Sequence, residues 1–129
     1  MERIEVTYLD THVVVWLYTG ERGKLSAAAV DQIQDDDLLV SPAVVLELEF
    51  LHEIRRGKAP ASKVIAQLSK DMGLRICELT FARVVEDAVR QKWVRDPFDR
   101  LIVAQASTNN APLITKDEKI RKHYRRAVW

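Results

Sequence analysis

The sequence predicts an α/β domain in which helices cover both faces of a mainly parallel sheet. Short β-branched and apolar runs such as "IEVTYLD", "LLVS" and "PLIT" alternate with helical segments, the order that parallel strands joined by helical crossovers produce. Ser, Thr, Asp, Pro and Gly stand where those helical segments start and stop, as helix punctuation requires. With 129 residues, 47% of them hydrophobic and 30% charged, the chain has the size and balance of one domain, 1–129, with one core.

The elements follow in order. "IEVTYLD" (4–10) reads as the first strand from its β-branched and aromatic residues. "THVVVWLY" (11–18) reads as a short helix closed by Gly20 and Gly23. "LSAAAVDQIQ" is the second helix and "LLVS" (38–41) the second strand. Pro42 suits the first position of the helix "AVVLELEFLHEIRR", which Gly57 and Pro60 end. "SKVIAQLSKDM" is a helix, "LRICEL" a strand, and "FARVVEDAVRQKW" a helix after Thr80. The helix in "RDPFDRLIVAQA" comes next, then the strand "PLIT" (112–115), the short helix "DEKIRKHY" and an edge strand "RAVW". No internal repeat, low-complexity stretch or long linker divides the chain.

Composition narrows the function classes without choosing one. Twenty Lys and Arg against nineteen Asp and Glu give a net charge of +1, so nucleic-acid binding would rest on local basic patches. Cys77, the only cysteine, excludes an internal disulfide and reads as a buried thiol in a reducing compartment. No apolar run approaches the roughly 20 residues that span a bilayer, and acidic residues interrupt the first ten positions where a signal peptide has its hydrophobic core. The expectation is a cytoplasmic protein with no membrane association.

Chemistry points to the acids. Ligands of open parallel sheets bind beyond the carboxyl ends of the strands, and Asp10 ends the first strand while Asp117 follows the strand "PLIT". At 100° per residue, Val44, Leu48 and Leu51 form the buried stripe of the 43–56 helix. Glu47 then falls on its margin, with Glu49 and Glu53 on the solvated side. A carboxylate beside an apolar stripe is costly unless something positive meets it. Each remaining acid has a second explanation. "DPFD" makes Asp96 an N-cap, Pro97 the first helical residue and Asp99 a first-turn acid, and taken alone this helix-start reading is the stronger one. Thr115 and Glu118 have capping-box spacing around Asp117, and Asp10 suits a cap for the helix at Thr11. Taken together, Asp10, Glu47, Asp99 and Asp117 meet at one end of the sheet, where like charges need a counter-ion. Oxygen ligands without a His or Cys cluster point to Mg²⁺ or Mn²⁺. A charge of about −4 is balanced by two divalent ions, the arrangement that serves phosphodiester hydrolysis.

The same residues carry a family likeness. "YLDTHVVVW", "SPAVVLELEFL", "RDPFDRLIVAQA" and "PLITKDEKI" resemble the four successive motifs of the PIN domain, and most closely those of VapC-type toxins of bacterial toxin-antitoxin pairs. The resemblance runs from Tyr8 to the terminal "AVW". It implies a three-layer α/β/α fold and an endoribonuclease dependent on one or two Mg²⁺ or Mn²⁺ ions. It also implies a homodimer and a cognate antitoxin that buries the active site. Carried over, the acidic constellation is Asp10, Glu47, Asp99 and Asp117, with Asp96 as accessory acid.

Other residues carry smaller expectations. Thr11 and Thr115 stand beside ligands, where they cap helices or orient a water molecule, and capping is favoured. Arg100 and Lys116 are candidates for substrate phosphate or plain surface charges. His12, His52 and His123 have no ligand spacing, and His12 is expected to be partly buried. Trp16 and Trp93 read as core or dimer contacts, and "KIRKHYRR" (119–126) as an RNA backbone track or a solvated face. Two rival readings are a PIN-like module that binds without catalysis and a Mg²⁺-binding receiver domain. The receiver needs an acidic pair after the first strand and a lone acceptor aspartate midway, neither of which this chain has.

Overall fold

A computed structural model describes residues 5–129; the expected strand start at Ile4 lies outside the described residues. In chain order the elements are β1 (Val6–Leu9), α1 (Thr11–Thr19), a 3-10 turn (Arg22–Lys24), α2 (Ala27–Asp35), β2 (Asp37–Val40), α3 (Pro42–Glu53) and α4 (Ala61–Met72). They continue with β3 (Arg75–Ile76), α5 (Phe81–Arg90), α6 (Pro97–Thr108), β4 (Leu113–Ile114), α7 (Glu118–His123) and β5 (Ala127–Val128). The strands form one five-stranded sheet in the order β3-β2-β1-β4-β5, and every pairing is parallel.

Burial shows that both faces of the sheet are covered. Successive strand residues point to opposite faces, yet Thr7, Tyr8 and Leu9 of β1 and both residues of β4 are all buried. The helices that cover them complete three α/β/α layers, with α3 packed on α1, α4 and α6, and α5 on α6. No described helix is long and apolar enough to cross a membrane.

Local chemistry sets the helix ends. Ser26, Ser41, Thr80, Asp96 and Asp117 each accept a backbone N–H at the start of α2, α3, α5, α6 and α7. Gly20 and Gly73 end α1 and α4 at φ 76° and 70°, a left-handed conformation in which glycine meets no steric penalty.

Several elements are shorter than the sequence predicts. The strand expected over 74–79 is only Arg75–Ile76, an edge where Cys77 N–H closes the ladder on the Val40 carbonyl at 2.9 Å. α5 stops at Arg90 rather than Trp93, because Gln91 N–H turns back to the Ala88 carbonyl. α3 stops at Glu53 rather than Arg56. Arg55 adopts φ 61°, and the N–H groups of Arg56 and Gly57 both reach the Leu51 carbonyl. Cys77 is buried as expected, its Sγ 3.0 Å from the Tyr8 hydroxyl.

Candidate active site

The strand order reverses between β1 and β4, since β2 and β3 extend the sheet on one side of β1, and β4 and β5 on the other. A crevice at such a switch point, beyond the strand carboxyl ends, is where open α/β sheets bind ligands. Asp10 follows β1 directly, and Thr115, Lys116 and Asp117 follow β4.

Asp10 is 6% exposed, so its carboxylate needs partners. Oδ1 accepts the Thr11 N–H at 2.8 Å and Oδ2 accepts the Thr115 hydroxyl at 2.6 Å. Thr11 Oγ1 donates to Glu47 Oε1 on α3. Asp96 Oδ1 accepts the Asp99 N–H at 3.0 Å, so the cap fixes the first turn from which Asp99 projects.

The electrostatics show that these acids share one environment. Burial pushes the Asp99 carboxyl up to about 7, and the charges of Asp10, Asp96, Glu47 and Asp117 push in the same direction. Burial raises Asp10 despite its hydrogen bonds, with Asp117 adding repulsion. Glu47 is raised by burial and by Asp10 and Asp96, against the pull of the Thr11 hydroxyl. Among the described residues no Lys or Arg pairs with any of these acids. Nor are three acidic, His or Cys side chains gathered into a formed metal cage. The donor set still fits a hard divalent cation: it is all oxygen, runs from buried Asp10 through half-buried Glu47 and Asp99 to exposed Asp117, and has no paired Lys or Arg among the described residues.

Asp10, Glu47, Asp96, Asp99 and Asp117 are thus brought into mutual electrostatic reach, but several neighbours are employed otherwise than expected. Thr11 and Thr115 do not cap helices; their hydroxyls are taken by Glu47 and Asp10. The cap of α7 is Asp117, which accepts the Ile120 N–H at 2.9 Å, while Thr115 Oγ1 accepts the Asp117 N–H. Arg100 spans to α5, donating to the Ala88 and Val89 carbonyls at 2.7 and 3.2 Å, which replaces a phosphate role with a helix-capping one. Lys116 stays exposed beside Asp117. His12 is exposed rather than partly buried, because Val13, Val14 and Leu17 form the buried side of α1. His123 stacks on half-buried Trp93 at 4.9 Å. The 119–126 segment is partly structural, since the Tyr124 hydroxyl binds the Ala111 carbonyl and Arg126 the Asn110 carbonyl. Lys119, Arg121, Lys122 and Arg125 remain exposed.

Three connections escaped sequence reasoning. Glu49 is half-buried rather than solvated and accepts the Ala61 N–H at 3.0 Å. Ser41 Oγ donates to Gln105 Oε1 inside the core at 3.0 Å, tying the start of α3 to α6. Buried Asp87 accepts from Gln91 and Ser107. Of these, Ser41 before Pro42 carries the local signal of a helix start, and Asp87 and Gln91 have the four-residue spacing of a helical pair, whereas the Ala61, Gln105 and Ser107 partners are distant in sequence.

The cap at Asp96 gives a first prediction. Asp96→Ala should cost about 1 kcal/mol and Asp96→Asn only a few tenths, since Asn caps nearly as well. Thermal melts of the two variants check this, and equal losses would mean that the Oδ1 bond does not anchor α6.

A family profile described as PIN domain matches residues 7–126. The chain is 34% identical over 119 residues to the curated "Ribonuclease VapC22" of Mycobacterium tuberculosis, a match covering 89% of each chain. A toxin-antitoxin complex from Klebsiella pneumoniae has a similar fold, with TM-score 0.67 and 19% identity over 95% of this chain and 96% of that one. VapBC2 from Rickettsia felis, bound to a promoter DNA fragment, gives 0.59 at 16% identity, covering 91% of this chain and 92% of the other. VapBC-1 from nontypeable Haemophilus influenzae gives 0.55 at 17%, covering 91% and 90%.

Proposed function

Since the chain belongs to the PIN-domain family, in its VapC group, we propose that its clustered acids are the centre of a divalent-metal-dependent endoribonuclease acting as a toxin. One observation carries this reading: acids from separate segments stand near the sheet's switch point with no Lys or Arg paired to them among the described residues, and burial, reinforced by the neighbouring acids, pushes Asp99 up to about 7. Such groups are poised for a ligand of opposite charge. The likeness to a curated ribonuclease supplies the reaction class.

Asp10, Glu47, Asp99 and Asp117 are the residues that would hold Mg²⁺ or Mn²⁺, one or two ions. Held by these carboxylates, such a cation would supply a lowered pKa for the attacking water and a positive charge beside the phosphodiester. The chain's own groups do the positioning. The Thr115 hydroxyl and the Thr11 N–H hold both oxygens of Asp10 in place, and the Thr11 hydroxyl aims Glu47 from α3. Exposed Lys116 meets substrate phosphate, and the exposed cations of 119–126 extend a backbone track.

A cognate antitoxin and a second copy of the chain are the proposed protein partners. Structural neighbours that are toxin-antitoxin complexes support the first. So does an apolar groove at the starts of α3, α5 and α6, where Phe81 is 71% and Leu46 63% exposed. Burying such side chains contributes strongly to association.

The test incubates the purified protein with mixed cellular RNA and Mg²⁺ or Mn²⁺, with and without chelator, beside Asp10→Asn. Cutting should need the cation and be lost in the variant. Cutting that survives both chelator and substitution would overturn the proposal.

A further inference from the structure

Trp16 lies on α1 five residues beyond Thr11, packed against the core on one side and with its ring close to Trp129 and to the cations Lys24 and Lys116. α1 and α3 run side by side away from the site. The Thr11–Glu47 hydrogen bond joins them at one level. One turn further, Val15 and Trp16 of α1 and Leu51 of α3 line a cleft of about 210 Å³. Four helical residues advance about 6 Å, the length scale of a single nucleotide step. The cleft is smaller than the roughly 300 Å³ of ordinary small-molecule pockets, and suits one planar base.

Its rim is basic. Lys24, Arg56 and Lys58 line it together with Glu21, and only Lys24 is paired, to Glu21 at 3.1 Å. Arg56 and Lys58 have no ion-pair partner among the described residues. Arg56 stands on, and Lys58 directly follows, the turn that the Leu51 carbonyl pins through Arg56 N–H and Gly57 N–H. The Nζ atoms of Lys24 and Lys116 lie 5.8 and 5.9 Å from the centre of the Trp16 ring. Lys116 thereby connects the aromatic ring to Asp117 next to it in sequence. Aromatic surface with interleaved cations along a track is the chemistry of single-stranded nucleic acid, in which bases stack and phosphates pair.

We propose that the cleft between α1, α3 and the 55–59 turn binds one unstacked nucleotide of single-stranded RNA next to the cleavage site. Its base lies against Trp16 and its phosphates face Lys24, Arg56 and Lys58. This inference rests on the ribonuclease reading of the acids. An acidic peptide would meet the same cations, but the aromatic wall and the cleft's position on α1 and α3, the two helices joined by the Thr11–Glu47 bond, favour RNA.

The test measures steady-state cleavage of a single-stranded RNA by the full chain and, separately, binding of the same RNA by fluorescence anisotropy. The variants are Arg56→Ala/Lys58→Ala, Trp16→Leu and Trp16→Phe. The double variant alters two exposed side chains and should raise KM about tenfold with kcat nearly unchanged, while the salt dependence of binding falls by about two phosphate contacts. Trp16→Leu should raise KM similarly and Trp16→Phe recover most of the loss, because Phe keeps a stacking face. Unchanged KM and unchanged RNA affinity in the double variant would overturn the proposal, as would weakened antitoxin binding with RNA affinity intact. If the parent protein binds RNA through these residues yet never cuts it, the ribonuclease reading fails and the binding site stands.

Discussion

Asp99→Asn should reduce RNA cleavage by at least about a hundredfold while raising the melting temperature at pH 8 without divalent cations. The two effects have one cause. The Asp99 carboxyl is pushed from 3.8 to about 7 by burial and by Asp10, Asp96, Glu47 and Asp117. Below pH 3.8 it is protonated in both folded and unfolded states and contributes nothing to the pH dependence. Between about 4 and 7 the unfolded chain releases the proton more readily than the folded one, so stability falls as pH rises through that window. Above about 7 the folded protein carries the whole penalty of an ionised, repelled carboxylate. Asn has the same shape without the charge, so the stabilisation of the variant should be near zero at pH 4 and full by pH 8. Asp10 and Glu47 are raised as well, so relief at Asp99 also eases their ionisation.

Divalent cations should reverse the order. Mg²⁺ or Mn²⁺ binds the folded state through these oxygens and raises the melting temperature of the parent protein, whereas the variant has lost a ligand and should gain less. Melting curves at several pH values, with and without Mn²⁺, and a cleavage assay check both parts. Undiminished cutting by Asp99→Asn would remove Asp99 from the site.

Helix starts were legible because they are local. Asp96, Pro97 and Asp99 lie within four consecutive positions, and the observed bond from Asp99 N–H to Asp96 is the one that spacing predicts. The threonines were misread because their partners are distant. Thr115 bonds Asp10 across 105 residues and Thr11 bonds Glu47 across 36, and a carboxylate is a stronger acceptor for a hydroxyl than anything near it in sequence. Glu49 shows the same limit. A helical wheel describes one helix alone, whereas Glu49 serves α4, whose N-cap Pro60 makes no side-chain hydrogen bond to its first N–H groups. Asp10 and Asp117 were placeable at one sheet edge because each follows a strand, whereas Glu47 and Asp99 reach the same electrostatic environment from α3 and α6. Trp16 was read as a core or dimer contact and does pack against the core, but no local sign shows that Lys24 and Lys116 would converge on its ring.

Thr115→Val should be among the most destabilising single changes near the site and should move the acid limb of the pH-rate profile upward. Thr115 is fully buried; its hydroxyl donates to Asp10 at 2.6 Å and accepts the Asp117 N–H at 3.1 Å. Valine fills the same volume without the hydroxyl, so packing is kept and both bonds are lost. A hydrogen bond to a buried charged group contributes about 1.5–3 kcal/mol, which for a domain of this size is a fall in melting temperature of roughly 5–15 °C. The Thr115 hydroxyl is also the foremost influence holding the Asp10 carboxyl down against burial. Without it Asp10 keeps its proton to higher pH, and activity that needs the ionised form should appear later on the alkaline side. Thr115→Ser retains the hydroxyl and should preserve the acid limb even if it loses some packing, which separates the electrostatic effect from simple destabilisation. A valine variant with the parental acid limb would show that the hydroxyl does not hold Asp10 ready.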